Sequence, residues 1–527
     1  MSQPLRTRSA AVATHHPLAT QAGAHVLRAG GNAIDAAVAA MNVLCVIVPG
    51  FVGFGGYGGS MVIFSAETGR TSAIDFDSRC PIGYCDDLFT SDCFERSNFG
   101  YLAVSVPGII AGLAKALRQF GTQSWADVSQ QAIELAENGV PMEEESRRQL
   151  EKWQTGADPI SRKALFPDGQ IPELGQLWVR KGTAEMLRQL ADQGPQAFYH
   201  GEIPRRICRQ IQAHGGILSE EDFARYEPAM GEPVSINYRG HDLYTPPPPS
   251  GGVTSLQILK TLEQFDLANM KPWSAPYLHL VSEACKLCFA DRRQVLGDPD
   301  FVKMPLAELL SSQSALQKAE ELRREDIRRT TNPLQSGPHT SNVSVIDADG
   351  NVVSLTATQG YQYGSRVVIE GLELVMGHGM SRFDFAPDHP NRPAPGKRMQ
   401  HNMSPMIILK NAQPYSALGL PGGTKIITVT AQLVVNLIDF HCTPREAVYA
   451  PRVHSEGPEP ICVSGSLPPE TVRVLEAMGH QVRLGQSIGG APNEVAGPAN
   501  IVLRDDAGHL HAASSAAPDA ACVLAPA

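Results

Sequence analysis

Apolar residues recur at helical spacing through most of the first 330 positions and at every second position soon afterwards, so the pattern shifts from helix-rich to strand-led at about residue 338. Near the N-terminus, "ATQAGAHVLRAG" predicts one helix and "GGNAIDAAVAA" a turn and a second. Its apolar continuation "AAVAAMNVLCVIVPG" is expected to be buried and to stop at Pro49. The glycine loop "GFVGFGGYGGS" follows. It lacks a phosphate-loop lysine and leads into a strand rather than a helix, so close backbone packing is expected there. "MVIFSAETGRTSAIDF" predicts a hairpin around "ETG". Residues 100–330 read as mostly helical, broken by two strands and a proline-rich bend that feeds a helix starting near Ser250. "ELRREDIRR" at 321–329 mixes charges at helical spacing and reads as a solvated helix face. Residues 330–339 read as an exposed linker. Beyond it, "SNVSVIDADGNVVSLTATQG" alternates about Asp349-Gly350, the strongest short hairpin signal. Further strands are expected in "RVVIEGLELVM", "MSPMIILK" and "YSALGL", then a helix in "KIITVTAQLVVNLIDF".

Composition narrows the function classes. A chain of 527 residues would by length alone suggest three or four domains. A net charge of −10 without a basic stripe argues against nucleic acid as a partner. The most apolar run is too short for a membrane span, and no secretory signal is read at the start, so a cytoplasmic protein is expected. The 10 cysteines are scattered; Cys285 and Cys288 have no second ligand pair nearby and read as buried free thiols rather than a zinc site.

Thr340 stands where the polar linker meets a core-type strand. A hydroxyl is a weak nucleophile at neutral pH and needs a base within hydrogen-bond reach. If the chain is cut between His339 and Thr340, the new α-amine of Thr340, with an ordinary pKa of about 8, can be that base. An exposed linker ending on a rigid strand allows such a cut, by attack of the threonine on the preceding carbonyl; a threonine that merely starts a strand is the plainer alternative. In "ALGLPGGTKIITV" a glycine pair separates a strand from a helix, and Gly422-Gly423 could aim backbone N–H groups at one point, as an oxyanion hole requires, or simply make a tight turn.

These segments, with "RMQHNMSPMIILK", "GLPGGTKIITVTAQLVVNLIDF", "YTPPPPSGGVTSLQILKTLEQFDL" and "ADRRQVLGDPDF", resemble in collinear order the γ-glutamyltranspeptidase family of N-terminal-nucleophile hydrolases. The resemblance implies an α/β (α+β) fold, the four-layer αββα sandwich. It implies a proenzyme cut into a large subunit, 1–339, and a small subunit, 340–527, that together form one catalytic unit; a dimer of that heterodimer is left open. It assigns Thr340 as nucleophile, Thr358 as its support, and Gly422 and Gly423 as the oxyanion glycines. The chemistry calls for no metal or organic cofactor.

Departures from the family pattern bear on the substrate. Where the transpeptidases hold the substrate α-ammonium with an acidic and an amide side chain, this chain reads "GHGMSRFDF", with Gly379, Ser381 and Arg382. Its paired serines are here His401 and Asn402. Its carboxylate-binding arginine position is Asp77 in "IDFDSRCP", with Arg79 two residues on. An arginine repels an ammonium. A small carboxylate amide without an α-amine is therefore expected, with Arg79 and Arg382 as candidate carboxylate clamps and His401 and Asn402 as orienting donors. Three of the four have a structural alternative: a surface pair with Asp384 for Arg382, a pair with Asp75 or Asp77 for Arg79, a wall residue for His401. Such a member resembles the oxamate amidohydrolases of purine catabolism. A γ-glutamyl hydrolase or transferase, a cephalosporin- or glutaryl-type acylase, and an unprocessed, non-catalytic binding protein stay open.

Overall fold

The structure is a computed structural model that describes residues 9–89, 93–166, 168–324, 339–485 and 495–525. Its centre is the hairpin expected around Asp349-Gly350. Strand His339–Ile346 pairs antiparallel with Val352–Gly360, placing Val345 opposite Val353 and Val343 opposite Leu355. Gly350 takes φ +91°, a conformation that L side chains rarely adopt. The Asp347 carboxylate accepts from the N–H groups of Asp349 (3.0 Å) and Asn351 (2.8 Å), and from Ala33 N–H (2.9 Å) at the start of helix Ala33–Ile47. One carboxylate thus closes the turn and docks it on the neighbouring layer.

This hairpin lies inside a seven-stranded sheet in the order Ala521–Leu524, Ala10–Ala13, His339–Ile346, Val352–Gly360, Gly58–Ser65, Arg70–Asp75, Ala229–Gly231. A second sheet has six strands: Leu510–Ser514, Asn500–Arg504, Gln413–Gly419, Met406–Lys410, His241–Thr245, Val234–Tyr238. Side chains alternate across each sheet. Val343, Val345, Val353 and Leu355 face helices Ala33–Ile47 and Ile109–Phe120 in one apolar cluster. Ile346 and Val352 face the other way and meet Ile407, Leu409, Ala417 and Val502 of the second sheet. The far face of that sheet packs on helices Gly252–Leu262, Ala275–Val295 and Lys425–Ile438. Three apolar layers between four structural layers make the αββα sandwich. Both sheets mix strands from either side of residue 340, so length overestimates the number of units: neither of these two sheets is complete without both stretches.

The glycine loop packs as expected. A Cβ on Gly55 would lie 2.3 Å from Val375 O, and one on Gly59 2.4 Å from the Phe76 ring. Helix Ala33–Ile47 is buried throughout and capped by Asn32. All ten cysteines are free thiols, with Cys285 and Cys288 buried in helix Ala275–Val295. Two expectations are corrected. "RVVIEGLELVM" is not one strand but two short ones, Val368–Ile369 and Leu374–Val375, because Gly371 (φ +70°) and Glu373 (φ +48°) fold it back on itself. The segment before the proline-rich bend holds three strands, Ala229–Gly231, Val234–Tyr238 and His241–Thr245, rather than two. The charged run keeps its helix only to Leu322; residues 325–329 and most of the expected linker lie outside the described residues.

Candidate active site

Residue parity places the site. Thr340 shares its face with Asn342 and Ser344, so its side chain turns inward between the two sheets, at the end where the strand leaves them. Its Oγ1 donates to Thr358 Oγ1 at 3.1 Å, and Gly360 N–H donates to the same oxygen at 2.9 Å. The pairing register shifts between Ala357 and Gly360, which brings Thr358 beside Thr340. Gly360 makes this turn at φ +94°, and a Cβ there would sit 2.0 Å from His378 Nε2. Thr340 is only 3% exposed.

Around these hydroxyls is a cavity of about 10 Å³, room for about one water. It is lined by Tyr57, Thr340, Thr358, Gly360, His378, Arg382, Asn402, Met403, Gly423 and Ile426. Gly422 and Gly423 take φ +149° and +64° between strand Gln413–Gly419 and helix Lys425–Ile438. A Cβ on Gly422 would lie 3.1 Å from Ala496 Cβ. Only Gly423 of the pair reaches the cavity wall. Since Ile426 in the first turn of that helix also lines it, the positive end of the helix faces Thr340. A peptide-like carbonyl held here would develop its negative charge against backbone N–H groups and a helix N-terminus.

The four candidate binding residues separate. Arg382 and Asn402 line the cavity. Arg79 does not; its guanidinium donates to Gly396 O at 3.1 Å, and residue 79 bridges to residue 398 in an isolated antiparallel contact. Neither Asp75 nor Asp77 is paired with it. Arg398 takes Asp75 instead, at 3.0 Å, together with Asp298 at 2.7 Å, and although burial works to lower its pKa, these carboxylates raise it. His401 lies behind the wall, 0% exposed, with Nε2 2.5 Å from Asp77 Oδ2. Burial pushes the Asp77 carboxyl well above the usual range and holds His401 down at about 3. Both shifts favour the uncharged form of each partner, which lowers the cost of burying the pair. Burial, then the neighbouring Asp77, raises Asp75 to about 6.

Asn402 is held from behind. Arg292 of helix Ala275–Val295, buried and lowered to about 9 by desolvation, donates to His401 O at 2.6 Å and to Asn402 Oδ1 at 3.3 Å. His378 Nε2 accepts from Tyr361 N–H at 2.6 Å. Tyr57 and His378 are cavity residues that sequence reasoning missed, although both lie in segments it singled out, the glycine loop and "GHGMSRFDF". Met403 and Ile426 were hidden among ordinary core residues. Near the site, the atoms that could hold a metal are Asp75, Asp77 and His401. They are wholly buried, and Arg398 already supplies the positive charge at Asp75.

Arg382 also lines a second, larger cleft of about 630 Å³. Its walls carry Tyr84, Phe89, Phe94, Tyr361, Phe383 and Phe385, with Asp86 and Asp384 among them. Arg382 therefore stands where the small chamber meets the open cleft.

A four-layer αββα sandwich with a strand-borne threonine buried between its sheets is the architecture of N-terminal-nucleophile hydrolases. The γ-glutamyltranspeptidase family model matches residues 19–522, and the chain belongs to that family. It is 35% identical over 523 residues to a glutathione hydrolase proenzyme of Escherichia coli, covering 94% of this chain and 89% of that one. It is 36% identical over 500 residues to the acylase ACY 1 proenzyme of a Pseudomonas species, covering 92% and 89%. Among solved structures, a cephalosporin acylase from Bacillus halodurans superposes with a TM-score of 0.90 at 28% identity, covering 98% and 96%. The chain is accordingly an autoprocessing hydrolase of amide bonds, made as a proenzyme whose large and small subunits come from one precursor. Among the described residues no helix is long and apolar enough to cross a membrane.

Proposed function

We propose that the protein hydrolyses the monoamide of a dicarboxylic acid that carries no α-ammonium, with oxamate, the smallest such amide, as first candidate. One observation carries this reading: Arg382 is the charged side chain of the Thr340 cavity, and no carboxylate lines that cavity among the described residues. A guanidinium binds a carboxylate with two parallel hydrogen bonds and repels an ammonium. Asn402, fixed by Arg292, supplies an amide to orient the bound acid.

Cleavage between His339 and Thr340 frees the α-amine of Thr340. That amine takes the Oγ1 proton as the oxygen attacks the amide carbon, while Thr358 holds the hydroxyl in line. The oxyanion forms against the Gly422-Gly423 turn. Collapse breaks the C–N bond, the amine returns its proton to the departing nitrogen, and an acyl ester remains on Thr340. Water, deprotonated by the same amine, releases the diacid. For oxamate the products are oxalate and ammonia.

A second reading, hydrolysis of a longer glutaryl- or cephalosporin-type amide, is favoured by the aromatic wall of the adjoining 630 Å³ cleft and by the acylase relatives. A γ-glutamyl substrate would need its ammonium held by a carboxylate such as Asp384 in that cleft. The test is ammonia release by the purified, processed protein from oxamate and its longer homologues succinamate and glutaramate. Release from oxamate alone fixes the small substrate, and release that grows with chain length favours the acylase reading. Failure on all of them, with a single uncut band on a denaturing gel, would replace the proposal with a non-catalytic binding role.

A further inference from the structure

Helix Ala275–Val295 carries His279 and Glu283 four residues apart, hence on one face. His480, just after helix Pro469–Ala477, comes up against that face. His279 Nδ1 and His480 Nε2 are 2.9 Å apart, and ligand atoms of His279, Glu283 and His480 all lie within 4.8 Å of one another. His480 is buried, and its Nδ1 meets Glu459 Oε1 at 3.0 Å. With that nitrogen donating to a carboxylate, Nε2 keeps its lone pair. A carboxylate behind an imidazole fixes the tautomer and raises the basicity of metal-bound histidines. Lys286 Nζ sits between Glu283 (2.7 Å) and Glu459 (2.6 Å), bridging the carboxylate on the histidine face to the one behind His480.

We propose that His279, Glu283 and His480 bind Zn²⁺ or a closely similar divalent metal, with Glu459 as the positioning residue behind His480. Two nitrogens on a tetrahedral zinc stand about 3.3 Å apart, so the histidine pair needs to open by only about 0.4 Å. His279 moves its one ring proton from Nδ1 to Nε2 and stays neutral. Two histidines and one carboxylate leave the fourth position to water, and half-buried His279 provides the way in. The buried group Asp75, Asp77 and His401 has no such opening, since each is at most 4% exposed. His279 and Glu283 precede residue 340 and His480 follows it, so a bound ion joins the two stretches of chain.

The test uses full-length, chelator-treated protein titrated with Co²⁺ and read by its visible absorption. Tetrahedral bands saturating at about one equivalent are expected. They are lost in His279→Ala and His480→Ala, and Glu459→Gln weakens binding by about 10- to 100-fold. His279, being half-buried, carries the test should the His480 variant fail to fold. Zn²⁺ should raise the melting temperature of the parent and not of His279→Ala. His511→Ala, in the surface group with Asp505, serves as control. Absence of bands, bands that survive His279→Ala, or bands lost on His511→Ala would overturn the proposal.

Discussion

The chamber around Thr340 and the cleft beyond Arg382 share one residue but not a construction. The chamber, about 10 Å³, has Thr340, Thr358 and Gly360 on strands His339–Ile346 and Val352–Gly360 and Ile426 at the start of helix Lys425–Ile438, with connecting chain such as Tyr57, His378 and Asn402 closing the rest. Its reacting hydroxyl sits in a sheet whose two faces are buried, so it has little freedom to move. The cleft, about 630 Å³, is walled by the short helix Cys93–Asn98, the turn Gly379–Arg382 and the irregular chain that follows as far as Arg392. On the proposed reading, the bond-breaking groups Thr340 and Thr358 ride on regular strands, and recognition is left to loops. The contrast implies that substrate range can change in the cleft while the chemistry of the chamber stays as it is.

Substitutions can break or sharpen that contrast. Thr340→Ala should have the largest effect, lowering amide hydrolysis by at least about 10⁴-fold and leaving one uncut chain on a denaturing gel. Arg382→Ala should lower kcat/KM on carboxylate amides by about 100-fold, roughly 3 kcal/mol, chiefly through KM. Arg79→Ala, whose guanidinium is spent on Gly396 O, should stay within about threefold of the parent in the same assay. A reversed order for the two arginines would mean that the carboxylate is read outside the chamber. Gly422→Ala puts a Cβ 3.1 Å from Ala496 Cβ at φ +149°. Tilting the glycine turn should cost about 10-fold in kcat, less than the ~10²–10³ lost when an oxyanion donor is deleted.

A separate effect concerns pH and stability. His401 titrates at about 3 in the folded chain, because burial disfavours its cation, and at 6.5 ordinarily. The unfolded chain therefore takes up a proton that the folded chain refuses. This contribution is present above pH 6.5 and is lost as pH falls towards 3, at up to about 1.4 kcal/mol per pH unit. Asp75, raised from 3.8 to about 6, acts in the opposite sense: its contribution is present below 3.8 and lost as pH rises through 6. His401→Asn should thus flatten the fall in melting temperature between pH 7 and pH 5. Parallel melting curves for variant and parent would contradict the assignment.

The fold was legible where burial imposes a period. The alternation of Val343, Val345, Val353 and Leu355 marked the central hairpin, and the uninterrupted apolar run after Asp35 marked a helix with no solvent face. The short Val368–Ile369 hairpin was not legible, because left-handed residues such as Glu373 leave no periodic trace. At the site, Thr340 drew notice at the mouth of a core strand and Gly422-Gly423 between a strand and a helix, but the roles of all three and of Thr358 came from the family resemblance. Arg79 and Arg382 looked equivalent in sequence. They separate only in three dimensions, where Arg398 takes the Asp75 carboxylate and Arg79 turns to a backbone carbonyl. Arg292 behind Asn402 spans 110 positions of sequence and could be found only in the structure.

On the proposed function a guanidinium, not a carboxylate, reads the acyl group beside Thr340. The most direct test is the ratio of kcat/KM for glutaramate and L-glutamine, two amides of the same length that differ only in the α-ammonium. Glutaramate should be the better substrate by about 100-fold or more, and Arg382→Ala should collapse the ratio. A preference for glutamine that survives Arg382→Ala would contradict it.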